Sequence, residues 1–123
     1  MLWSMSTDAT QSPPMDTEIG KPKMRGWSHA AGTVLAVPAA YFLVEAARTD
    51  AAVIGALIYG ATLVMLLGVS ATYHVPYWSS AVRTKIRLLD HSMIYVLLGG
   101  SYTPFCMVTG GWVKDVVLPA VWL

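Results

Sequence analysis

The sequence predicts an all-α membrane protein with three transmembrane helices plus a truncated fourth. Three observations lead there. Hydrophobic residues make up 55% of the chain and charged ones only 12%, with a mean hydropathy of +0.54; the apolar residues fall into runs of membrane-spanning length; and Lys and Arg collect in the short segments between runs. A water-soluble domain of 123 residues has too little interior to hide so much apolar surface, whereas lipid accommodates it on the outside.

Residues 1–20, with Ser, Thr, Asp, Gln and the pair Pro13-Pro14, have neither the basic start nor the apolar stretch of a cleavable signal peptide and read as a disordered cytoplasmic tail. The transmembrane region then occupies 21–123. Its first helix covers about 27–47, "WSHAAGTVLAVPAAYFLVEAA", with Glu45 as its one charge; that is about 31 Å of helix, against a hydrocarbon core about 30 Å thick. The second, about 51–74, carries no acidic or basic residue before His74. Arg48 to Asp50 form the short hairpin loop between them.

The third helix covers about 88–109 and stops at Gly110-Gly111, where glycine permits a helix-ending turn. Ser79 or Ser80 could start it earlier, by capping an interfacial turn through Arg83 and Arg87. A fourth apolar run begins at about 116 and has only reached Leu123, too short to cross a bilayer. The sequence is therefore expected to be incomplete. The alternative is a three-helix protein whose last turn lies in the interface, and Pro119 suits either.

Orientation follows from the basic residues: Lys21, Lys23 and Arg25 before the first helix, Arg48 after it, Arg83, Lys85 and Arg87 before the third, Lys114 after it. The alternation of three and one places the amino terminus and the second loop in the cytoplasm of a multi-pass protein of the cell membrane. Trp27, Tyr77 and Trp78 then form the inner aromatic belt and Trp112 part of the outer one. A net charge of +1 leaves no basic surface for nucleic acid, which is excluded as a partner. The partner is the lipid bilayer.

Small residues recur every fourth position on helix 1 (Ser28, Gly32, Ala36, Ala40) and helix 2 (Ala52, Ala56, Gly60), so both can pack closely against a neighbour. Pro38 and Pro104 each remove a helical hydrogen bond and are expected to kink their helices, with the Thr103 hydroxyl satisfying backbone freed by Pro104. Cys106, the one cysteine, allows neither a disulfide nor a cysteine-based zinc cluster and reads as a buried packing residue.

His29, His74, His91 and Asp90 all fall at helix ends assigned to the cytoplasmic side. Ser70 stands four residues before His74, on the same face of helix 2. Such a group can serve a metal or hydrolytic site, with imidazole as zinc ligand, carboxylate as its partner or general base, and hydroxyl to orient water. It is also what ordinary helix ends carry, since Asp90 can pair with Arg87 and histidine costs little at a headgroup boundary. His91 directly follows Asp90 and points about 100° away from it, so both cannot easily face one ion.

Three stretches, "KPKMRGWSHAAG" (Lys21 to Gly32), "SATYH" (Ser70 to His74) and "LDHSMIYVLLGGSYTPF" (Leu89 to Phe105), resemble the hemolysin III family of bacterial membrane proteins, related to the progestin and adiponectin receptors. The resemblance runs from about Lys21 to the end. It implies the first half of a seven-helix fold with a cytoplasmic amino terminus. In the wider superfamily, which includes alkaline ceramidases, a Ser-x-x-x-His on helix 2, an Asp opening helix 3 and a His-x-x-x-His on the last helix form a zinc site. Carried over to this sequence, His74 is implied as a zinc ligand, with Ser70 and Asp90 as catalytic residues beside it. No His-x-x-x-His occurs among these residues, so the chain alone is expected to bind zinc weakly or not at all. His29 is read as a polar contact at the helix 1 boundary and His91 as a bystander.

The resemblance implies the amino-terminal part of a zinc-dependent membrane hydrolase acting on a lipid amide or ester. Two alternatives stand beside it: a pore-forming cytolysin, which as a homo-oligomer could line a pore between subunits, and a receptor-like membrane protein without chemistry.

Overall fold

The computed structural model describes residues 23–123; the tail expected over 1–20 lies outside the described residues. Helix α1 spans Lys23–Ala46, α2 Asp50–His74 and α3 Ser80–Thr109. All three are long and apolar enough to cross a membrane. Among the described residues the regular structure is entirely helical, as unsatisfied backbone polar groups in lipid require.

The ends of these helices follow local chemistry. Thr49 caps α2 from an extended backbone (φ −132°, ψ 153°), its hydroxyl accepting the Ala52 N–H at 3.2 Å, and Asp50 in the first turn complements the helix dipole. Ser79 holds the corresponding place before α3 with φ −61° and ψ 155°, but its side chain makes no capping bond. Helix α3 begins at Ser80 rather than near residue 88. Nothing between Ser80 and Leu88 breaks a helix, and at 30 residues, about 45 Å long, α3 outruns the hydrocarbon and carries its basic first turns into the headgroup layer.

At the other end of α3, the Gly110 N–H reaches the Cys106 carbonyl at 3.0 Å, and Gly110 and Gly111 take φ values of +67° and +55°. Only glycine adopts that conformation without strain. The chain reverses there, passes through a π-helical turn at Val113–Val117 and enters α4, Leu118–Trp122, which packs back along α3. Trp122 lies against Gly99, where a Cβ would come within 3.0 Å of the indole. Its Nε1–H donates to the Thr103 hydroxyl at 3.0 Å. That hydroxyl in turn donates to the Gly99 carbonyl at 2.8 Å, one residue before the Gly100 carbonyl that Pro104 frees, so Thr103 fastens the returning segment instead of repairing the proline gap.

Helix α2 sits between its two neighbours. Toward α1 a Cβ on Gly60 would lie 2.7 Å from the Ala40 Cβ, one on Gly32 3.5 Å from Leu67, and one on Gly26 2.9 Å from the His74 Cβ. The small-residue stripe of α1 engages from Gly32 onward, with Ala36 buried and Ser28 exposed. Toward α3, Gly55 meets Pro104 and Gly100 meets the Thr62 side chain. The buried residues are small, Ala36, Ala56, Thr62, Ser70, Thr103 and the fully buried Cys106, while Leu35, Phe42, Tyr95 and Phe105 are 66% or more exposed. Water would not tolerate such a surface, but a helix bundle in lipid is built this way, with small residues between helices and large ones facing the acyl chains.

Candidate functional site

The antiparallel packing brings the start of α1, the end of α2 and the first half of α3 to one end of the bundle. Between them lies a cavity of about 220 Å³ walled by His29 of α1, by Ser70, Tyr73 and His74 of α2, and by Asp90 and His91 of α3. Gly26 lets the walls close, since any side chain there would strike His74.

Ser70 is buried, His29, Tyr73, His74 and Asp90 are half-buried, and His91 is exposed. The His29 and His74 rings meet edge to face, with centroids 6.4 Å apart and planes at 85°. The Tyr73 ring lies next to His74 as well, with centroids 4.7 Å apart and planes at 65°. The His91 Nδ1 lies 2.8 Å from the Arg87 carbonyl; a carbonyl only accepts, so Nδ1–H is the donor of this bond and Nε2 is the nitrogen left over. The His29 Nδ1 is buried without a hydrogen-bond partner among the described residues. Leaving such a nitrogen unsatisfied costs about 1–3 kcal/mol, so the site asks for a further polar group at this wall.

The structure brings Ser70, His74 and Asp90 to one cavity. It adds His29 and His91, which the sequence alone places as a boundary contact and a bystander, and Tyr73, for which the sequence carries no signal. His91 borders the same cavity as Asp90 despite the angle between them on α3. The depth of His29 is legible in the sequence, but its place against His74 comes from the antiparallel register in which Ala40 meets Gly60. As for zinc, no group of three or more His, Cys, Asp or Glu among the described residues is placed to hold a metal ion. His74 and its neighbours do not by themselves close a coordination shell.

The profile of the haemolysin-III related family matches residues 17–123. Hemolysin-3 of Bacillus cereus is 34% identical over 85 residues, covering 67% of this chain and 38% of that protein. Hemolysin-3 homolog of Bacillus subtilis (strain 168) is 34% identical over 83 residues, covering 65% of this chain and 38% of the relative. The chain thus spans well under half the length of the curated relatives it matches. No solved structure matches it significantly. With the family profile covering nearly the whole chain and three helices fit to span a bilayer, this membrane protein belongs to the haemolysin-III related family.

Proposed function

We propose that this chain provides one wall of a zinc-dependent, hydrolase-like site that acts on a lipid amide or ester at the cytoplasmic face of the cell membrane. The observation that carries the reading is the cavity in which Ser70, His74 and Asp90 share walls at one end of three apolar helices. A lipid can reach such a cavity without leaving the bilayer. His74 is the residue of this chain suited to ligate zinc, and the missing ligands have to come from outside the described set, from another segment or a second copy. Zinc, if held there by His74 and ligands from elsewhere, would supply Lewis acidity. Asp90 holds or removes a proton of a water at the cavity wall, and the Ser70 hydroxyl donates to the oxygen on which charge develops.

An assembly that supplies the missing ligands and retains zinc in mild detergent tests this, through zinc content by mass spectrometry and hydrolysis of a ceramide-type amide. His74→Ala is expected to lose both, and Asp90→Asn to keep zinc while turnover falls about a hundredfold or more. Zinc content unchanged in His74→Ala sinks the assignment.

A second reading, membrane permeabilisation, draws on the name hemolysin carried by both relatives. The spans offer no continuous polar stripe, so a pore would have to form between copies. Dye release from vesicles separates the readings: lysis that survives His74→Ala does not depend on the cavity.

A further inference from the structure

Beside the polar cavity lies a second one, of about 400 Å³, lined by Tyr73, Trp78, Ser80, Arg83, Thr84 and Arg87. Its lining holds two guanidinium groups and no carboxylate, and the first turn of α3 has no acidic residue. Arg83 and Arg87 stand one turn apart on the same face of α3, where like charges repel; an anion seated between them removes that penalty. Trp78 is held at the rim by its Nε1–H, which donates to the Thr72 carbonyl at 2.8 Å.

We propose that this cavity binds the phosphate of an anionic phospholipid headgroup, with Arg83 and Arg87 as its ligands. Guanidinium matches phosphate with paired, charge-assisted hydrogen bonds. The source of the phosphate follows from depth. The cavity lies where α3 leaves the hydrocarbon, beside Tyr77, which is 83% exposed, and Trp78, the aromatic types that settle at headgroup level. Lipid phosphate is the anion concentrated there. Tyr73 belongs to both cavities, so a lipid held by its phosphate sits one side chain away from Ser70 and His74. The proposal does not depend on zinc or on hydrolysis.

The test uses the full chain in phosphatidylcholine mixed micelles titrated with phosphatidylglycerol, with bound lipid read by native mass spectrometry and folding checked by circular dichroism. Preference for phosphatidylglycerol is expected to fall about tenfold or more in Arg83→Gln or Arg87→Gln, the loss of a charge-assisted hydrogen bond to phosphate, and further in the double variant. Lys85→Gln, on the same helix but outside the cavity lining, is expected to leave it unchanged. If the double variant does not fold, the two single variants decide. Undiminished preference in the arginine variants overturns the proposal, and so does an equal loss in Lys85→Gln, which would mean a diffuse surface charge. Displacement of the lipid by an equal concentration of inorganic phosphate also overturns it, because the site would then be one for the free anion.

Discussion

Gly55→Ala probes a close approach of the α2 and α3 backbones. A Cβ at Gly55 would stand 2.5 Å from the Pro104 Cα, 2.8 Å from its Cβ and 3.3 Å from its nitrogen. Carbon atoms settle at about 3.5–4.0 Å, so α2 and α3 have to part by about 1 Å at this level. The obstacle is backbone and a closed ring, neither of which can swing aside as a flexible side chain would. Overpacking of this kind costs about 1–3 kcal/mol. Gly68→Ala is the matched control, because its nearest neighbour is the Thr33 Cγ2 at 3.9 Å, and alanine, the better helix former in water by about 0.5–1 kcal/mol, should there be neutral or slightly stabilising. Unfolding of the full chain in detergent micelles by titration with sodium dodecyl sulfate, followed by far-UV circular dichroism, measures both. A Gly55→Ala protein as stable as the parent, or a Gly68→Ala protein equally damaged, refutes the reasoning from backbone contact.

Other substitutions test other joints. Thr49→Ala removes the α2 cap and is expected to cost about 1 kcal/mol in the same titration, while Thr49→Ser should restore most of it. Thr103→Val deletes the acceptor of the Trp122 indole and should cost about 0.6 kcal/mol, the typical worth of a hydrogen bond between helices in a membrane; emission from Trp122, kept as the sole tryptophan, should shift as the ring loosens. Cys106, with no accessible surface, is expected to resist maleimide in the folded protein and to react fully once denatured; rapid labelling of the native state would contradict its burial.

The helices were legible because length and apolarity are local properties of a sequence. One packed face was legible too, since the small residues Ala36, Ala40 and Gly60 that separate α1 from α2 repeat at a helical spacing. The other face of α2, with Gly55, Thr62 and Ser70 turned to α3, was not. A helix apolar all round gives no amphipathic signal to say which side meets which neighbour. The same limit governed the site. The depth of His29, His74, Asp90 and His91 along their helices could be counted from the sequence, but rotation about each axis could not, and rotation decides that His29 shares a wall with His74. The apolar run alone starts α3 near residue 88, and only the capping types at Ser79 and Ser80 point to the earlier start, because the first turns carry Arg83, Lys85 and Arg87 and are held by backbone hydrogen bonds rather than by burial.

The small-residue interior has a consequence for how this chain can change over time. In a soluble protein the large apolar residues form the guarded centre and the surface drifts. Here the bulky outward residues, such as Leu35, Phe42 and Phe105, touch only fluid lipid and can be exchanged for almost any residue of similar hydrophobicity. Gly55, Gly60 and Gly100 have no replacement that fits. A library covering every position should therefore be permissive along the outer faces and unforgiving along two narrow seams, and the seams would trace the contacts of α2 with its neighbours without any coordinates.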